Sequence, residues 1–392
     1  MLTKKALSVF VLILALSSTA HAGVSYSLDE FEGKGLSNTV GILNKNGVSY
    51  AKNTLSPDFN IGPLGVGFDL NVFLPLNGNG NSDVSLAFRH VNFDYENKCG
   101  IKWGRLRHVT FGYGLLMDQY DSGIGGDTTE FTSQKAGVLA YGTLAQFRAD
   151  VMWTASNVSA YRGSYTWEES PILGSSIVFG GNYVNDSDGV GSATGTPRQS
   201  QSGWSADIGL PIAGDFLTVF TEYAKLQQLN NSGVGGDGFS SGVKGNFGIA
   251  DYRAEYRKLG AGFIPNYFNE TYEASALPAV TSKERSGFLV SAGTSFFDGY
   301  VRGGLMYERY EDLDLLSAAL GWKPILNTVG VINFSRPLNS NSAAVVNADI
   351  TYTTGTWYDY MINIKRVYTS FSDYTETYSV GFKMNLSKVF PF

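Results

Sequence analysis

From about residue 64 to the last residue, the chain repeats stretches of roughly ten residues in which apolar and polar side chains strictly alternate. One is Leu64-Gly-Val66-Gly-Phe68-Asp-Leu70-Asn-Val72. Two more are Ala145-Gln-Phe147-Arg-Ala149-Asp-Val151-Met-Trp153 and Tyr378-Ser-Val380-Gly-Phe382-Lys-Met384-Asn-Leu386. Successive side chains of a strand point to opposite faces, so each stretch reads as a strand with one greasy and one wet side. Such a sheet can separate lipid from water only if it is closed, because a bilayer core offers no partner to an unpaired backbone edge. The expected fold is all-β: a transmembrane, antiparallel, up-and-down β-barrel.

The first residues set the compartment. Lys4 and Lys5, an apolar run from Ala6 to Leu16, and Ala20-His21-Ala22 before Gly23 read as a secretory signal peptide over residues 1–22. The run is too short to cross a membrane as a helix. No later segment approaches that length and mean hydropathy is −0.07, which excludes a helical membrane protein. The 47 glycines, 23 tyrosines and 25 phenylalanines fit a β protein with tight turns and aromatic anchoring instead. Without the signal the chain keeps 27 basic and 35 acidic residues, a net charge of −8, and it has no basic block, which argues against nucleic acid as a partner. Cys99 is the only cysteine, so no internal disulfide forms and stability must come from a closed ladder; Cys99 is expected to be a small buried residue.

Alternation or strong β composition marks about 16 strands (14–18) between residues 64 and 387, an even number as in bacterial single-chain barrels. Residues 249–258, whose charges also recur at helical spacing, are assigned to a strand by their neighbours. From the fifth strand on, connections alternate between long (186–201, 261–284) and short (211–215, 248–250), which places both termini on the periplasmic side. Residues 23–63 are expected to be a periplasmic or lumenal lead-in, and 64–392 the barrel. Residues 96–142 break the pattern, because they fall where a short turn is due. They hide two extra strands, giving 18, or they lie inside the barrel as a constriction or plug.

The polar faces would point inward. Gln146, Arg148, Asp150, Asp207, Glu222, Asp251, Arg253, Glu255, Arg257, Arg302, Glu308, Asp349 and Lys383 are the candidate pore-lining residues. Charges need water or each other, and about 16 strands leave an aqueous channel unless something plugs it. The alternative is a closed interior filled by salt bridges. Neither His90 nor His108 lies in a nucleophile motif, so no catalytic residue and no enzyme activity is expected. No metal or cofactor is expected either. The stretch from Asn185 to Gly189 lacks the closing glutamate of a calcium loop, and the run from Gly233 to Gly238 has no following helix to bind phosphate.

The chain ends Lys388-Val-Phe390-Pro-Phe392 after a last alternating strand. This resembles the terminal signature of bacterial outer-membrane barrels, with Phe392 in the place of the residue read by the barrel-assembly machinery. With the signal peptide, the resemblance to porin-like outer-membrane proteins covers nearly the whole chain, by architecture. It implies residence in the bacterial outer membrane among lipid and lipopolysaccharide, and passive diffusion of small polar solutes through the lumen. Porins of this class are often homotrimers that fold one internal loop into the pore. The alternative function is a plugged barrel whose external loops bind ligands or surfaces. A transporter of apolar molecules would need a greasy lumen, and a secreted soluble β protein is the remaining structural alternative.

Overall fold

A computed structural model describes residues 36–385 apart from 46–47, 77–81, 97, 123–135, 169–175, 188–199, 228–234, 249, 270–271, 273–282, 298–299, 312–313, 326, 339–344, 354–357 and 369–373. The signal-peptide residues 1–22 and the terminal Phe392 lie outside the described residues.

The strands in chain order begin with β1 (Leu36–Lys45), β2 (Val48–Ile61), β3 (Leu64–Pro75), β4 (Asp83–Tyr95) and β5 (Cys99–Gly104). Two short ones follow, β6 (Val109–Phe111) and β7 (Met117–Tyr120). Next come β8 (Gly137–Leu144), β9 (Phe147–Thr154), β10 (Val158–Trp167), β11 (Ile177–Asp186), β12 (Gln201–Pro211) and β13 (Thr218–Gln227). The series continues through β14 (Gly236–Asn246), β15 (Ala250–Leu259), β16 (Arg285–Phe296), β17 (Val301–Tyr310) and β18 (Asp314–Ile325). It closes with β19 (Thr328–Pro337), β20 (Val345–Thr353), β21 (Tyr358–Tyr368) and β22 (Tyr374–Asn385).

All but β6 and β7 belong to one antiparallel sheet of 20 strands. Neighbours in sequence pair with each other, β5 pairs across the gap with β8, and β1 pairs with β22 from Ser37 opposite Asn385 to Leu43 opposite Ser379. That last seam closes the barrel, so the sheet has no first or last edge to expose to lipid.

The side chains sort as the alternation requires. On β3, Leu64, Leu70 and Leu74 are exposed on the outer face, while Gly65, Gly67 and Phe73 are buried on the inner one. On β15, Asp251, Arg253, Glu255 and Arg257 are buried and Tyr256 is exposed, so 249–258 is a strand with its charges inside. Aromatic rings gather on the outside in two rows. Trp153 and Tyr161, and Trp204 and Tyr223, pack at centroid distances of 6.0 and 5.6 Å towards one end, and Phe147 and Tyr165 at 4.8 Å towards the other. Such rows are the interfacial girdles of a membrane barrel.

Three expectations are corrected. The barrel has 20 strands and not about 16, because the array starts at Leu36: residues 36–61, expected as lead-in, form β1 and β2. Their outer faces carry Val40, Ile42, Phe59 and Ile61, but the polar residues among them, such as Asn38 and Asn53, break the alternation. Residues 96–142 contribute two wall strands, β5 and β8, and also an inward excursion between them, so both of the expected alternatives occur together. With four strands added, the excursion falls at the end of the barrel that carries the long connections 187–200 and 260–284; connections at the opposite end run from two to nine residues. Cys99 opens β5 and is exposed, because its register puts it on the outer face with Ile101 and Trp103.

The facing can be tested directly. Leu70→Lys, at the middle of the outer face of β3, should cost about 2–4 kcal/mol. Asn71→Lys, facing inward, should cost about 1 kcal/mol for its lost hydrogen bond from Thr54. Heat-modifiable gel migration of the two folded variants reads the difference.

Candidate functional site: the lumenal insert

Gly104 and Gly137 stand opposite each other at the ends of β5 and β8, and between them the chain leaves the wall and turns into the barrel. Residues 105–122 form a small hairpin from β6 and β7. Its neck is tied by the Arg105 guanidinium, which donates to both carboxylate oxygens of Asp121 at 3.0 and 2.8 Å, and by the Leu106 amide donating to Ser122 Oγ at 3.0 Å. Leu106, Phe111, Leu115, Leu116 and Met117 are buried in one apolar cluster with Met152, Val158, Ala160, Val184 and Leu226 of the inner wall.

The connection after β15 folds in to meet the insert. Phe263, Ile264, Tyr267 and Phe268 join the same cluster. Three backbone hydrogen bonds stitch the segments together: Asn266 N–H to Leu115 O (2.9 Å), Phe268 N–H to Leu116 O (3.2 Å) and Asp118 N–H to Phe268 O (3.1 Å). The Tyr272 hydroxyl donates to Asp186 at 2.7 Å, which accounts for one acid of the calcium-like stretch as a structural acceptor.

The tip of the hairpin is fixed to the wall by a carboxylate. Gly112 and Gly114 have φ of +70° and +84°, and the turn they make points the Tyr113 and Leu115 amides the same way. Both donate to Glu222 Oε2 at 3.0 Å. Successive amides turned into one concavity form an anion nest, and here the anion is a side chain of β13. Buried amides left without such an acceptor would cost about 1–3 kcal/mol each. The approach is close: a Cβ on Gly112 would stand 2.7 Å from Asn182 Nδ2 and 2.8 Å from Glu222 Oε1.

Around this nest the inner wall is a network of ions. Arg162 donates to Asp207 at 2.6 and 3.1 Å and to Asn182 Oδ1 at 2.7 Å. Arg253 reaches Glu255 at 2.7 Å, donates to the Tyr113 carbonyl, and lies 3.9 Å from Asp118. Arg257, fully buried, bridges Glu255 and Glu308, the latter at 3.0 Å, and also donates to the Tyr310 hydroxyl at 3.2 Å. The Tyr113 ring stacks on Phe220 (4.3 Å, 11°), with Lys244 Nζ 4.5 Å from the ring centroid. Burial, with Asp207 nearby, pushes the Tyr113 phenol up to about 12, so it stays neutral.

Of the candidate pore-lining residues, Asp207, Glu222, Arg253, Glu255, Arg257 and Glu308 are thus brought together in one network. Asp150 is buried and holds Arg148 at 2.7 Å, and Asp251 is buried on the same inner face of β15. Arg302 and Asp349 lie partly buried on other strands. Lys383 occupies a register position in β22 opposite Asp359 of β21. Gln146 is a correction: it sits exposed in the tight turn between β8 and β9, where its carbonyl accepts from the Thr166 amide, because Ala145 takes a φ of +52° and ends the strand. The inner wall is also not charged throughout. Leu289, Met306 and Ala319 form a separate apolar cluster on the inner side of β16–β18.

The sequence reading passed over Gly112, Tyr113, Arg162, Asn182 and Lys244. The last three lie on β10, β11 and β14, strands from which no candidate was taken, although alternation with the exposed Tyr161, Tyr183 and Phe239 puts each on the inner face. Gly112 and Tyr113 act only in combination with strands distant in sequence, and no local pattern reveals that. The two histidines are accounted for within the fold: His90 Nε2 is 3.7 Å from Asp58, and His108 Nδ1 is 2.7 Å from Gln119 Oε1.

Closed ladder, apolar exterior with aromatic girdles and hydrogen-bonded ionic interior are together the marks of a membrane barrel. The chain is built as a membrane-spanning β-barrel. No protein-family model matches it, and no curated protein matches it. Among solved structures it is similar to the ferric enterobactin receptor of Pseudomonas aeruginosa in complex with enterobactin, at 9% identity and a TM-score of 0.44, over 91% of this chain and 74% of that one. It is similar also to Pseudomonas aeruginosa OpdQ (12%, TM-score 0.37, 89% and 94% covered) and Acinetobacter baumannii OccAB4 (9%, TM-score 0.38, 89% and 96%). The barrel assignment rests on the chain's own ladder and surfaces.

Two outcomes follow from the insert's geometry. A Cβ on Gly209 would stand 1.7 Å from the Tyr113 hydroxyl, so Gly209→Val should push the ring off Phe220 and speed proteolysis within 105–122 several-fold, with the wall intact. Asp118 is buried, and desolvation pushes its carboxyl up to about 6 against the opposing pull of Arg253. An acid whose folded pKa is raised costs stability above that pKa and recovers it as pH falls towards the unfolded value near 4. The Asp118 contribution to protection of the insert should therefore rise between pH 7 and pH 5, and Asp118→Asn should weaken that dependence in the same proteolysis assay.

Proposed function

We propose that this protein is a channel for passive diffusion of small hydrophilic solutes, with a bore narrowed by the insert. The observation that carries this reading is the one-sidedness of the insert in a barrel of 20 strands. Its described contacts fall on the inner faces of β8–β15, on Tyr310 of β17 and on residues 263–268 and Tyr272 of the folded-in connection. Barrels of 16–18 strands already leave an aqueous passage, so a wider one lined on one side by a small hairpin is narrowed and not filled. Ionic groups on the inner wall fit a hydrated passage, since charges facing a dry lumen would be costly. A plugged barrel is the second reading, favoured by the apolar cluster that joins the two inward segments.

Planar-bilayer recording separates them. Gly104 and Gly137 face each other, so an Asn-Gly link can replace residues 105–136 and close a two-residue hairpin. The channel reading expects steady conductance from the folded wild type and about twofold or greater conductance from the deletion, in keeping with a wider lumen. Conductance only after deletion would favour the plug.

A further inference from the structure

In several ion pairs of the inner wall the cation is more exposed than the acid it holds. Arg148 is 43% exposed and its partner Asp150 11%. Arg162 is 15% exposed and Asp207 not at all; Arg253 is 9% exposed and Glu255 not at all. Arg105 and Asp121, in the neck of the insert, follow the same order at 15% and 7%. Arg257, buried between two glutamates, is the exception. Lys244 goes further: it is exposed, stands opposite Arg253 in the register of β14 and β15, and pairs with no carboxylate among the described residues. Its direct contact is the face of Tyr113 at the tip of the insert.

A pair with a buried anion and a wet cation has no net charge, yet an ion in the lumen meets the cation first. Screening over about 8 Å at physiological salt gives the nearest charges most of the weight, and a low-dielectric wall focuses their field into the water. The surface beside the insert is therefore electropositive although the whole chain is acidic. Partly exposed acids on other strands, Asp69 and Asp349, oppose it, so the result is a preference and not exclusion.

We infer that the passage selects small anions over cations, and that Lys244, aided by Arg148, is the specificity-determining residue. This rests on the channel reading above. Thr218 and Arg253 stand opposite Lys244 on the neighbouring strands and Gly242 is its neighbour along the inner face of β14, so a shorter acid in its place faces the same water.

The test is the reversal potential of the purified protein in a planar bilayer under a tenfold potassium chloride gradient. The wild type should reverse on the chloride side, with a permeability ratio of about two or more for chloride over potassium, as a charged constriction gives. Lys244→Gln should move the ratio towards one and Lys244→Glu should carry it below one. Lys225→Gln, on the exposed outer face of β13, should leave it unchanged. A cation-preferring wild type, or a ratio unmoved by Lys244→Glu, overturns the inference and leaves the channel reading standing. Absence of conductance from the folded wild type overturns both.

Discussion

Two backbone amides turned away from water decide what the inside of this barrel can be. A hairpin that leaves the wall and enters the lumen carries its own unpaired donors with it, and the Tyr113 and Leu115 amides meet one acceptor, Glu222 Oε2. Without that carboxylate both would be buried and unsatisfied, at about 1–3 kcal/mol each. The position of Tyr113 against Phe220, the reach of Arg253 to the Tyr113 carbonyl and the closeness of Gly112 to Asn182 all depend on the tip being held there. The apolar cluster behind it supplies area, but area has no direction; the nest fixes which part of the wall the insert lies against.

The same arrangement explains why a charged wall is tolerated. Arg162, Arg253 and Arg257 each hold at least one carboxylate, and Asp207 and Glu255 are fully buried beneath them. A buried pair of this kind is weak evidence for stability but strong for geometry, since removing one member strands the other. The inner wall presents basic groups to the lumen beside an apolar patch of Leu289, Met306 and Ala319, which borders Glu308 on β17.

How much of this could be read in the sequence depends on the range of the interaction. Facing on β3 and β15 was legible from Leu64 to Val72 and from Asp251 to Arg257, because strand alternation is a nearest-neighbour property. The same rule put six charged residues on inward positions, but their meeting in one network depends on the pairing of separate strands. β1 and β2 were missed because their residues carry little contrast between faces; the partner strands β3 and β22, remote or adjacent, decide their state. Gln146 was misplaced because alternation runs unbroken through a turn that Ala145 makes with a positive φ. The nest was illegible in principle: Phe111-Gly-Tyr-Gly-Leu115 is an unremarkable sequence until a strand more than a hundred residues later brings Glu222 to it.

Hydrogen exchange of the Tyr113 and Leu115 amides, followed by mass spectrometry of the folded protein in lipid, reads that bond without reference to transport. The account predicts slow exchange across 111–117 in the wild type and fast exchange there in Glu222→Leu, with the amides of β13 and β14 equally protected in both. Rapid exchange at 111–117 in the wild type would mean that the insert is not held to the wall by Glu222, and would contradict the account.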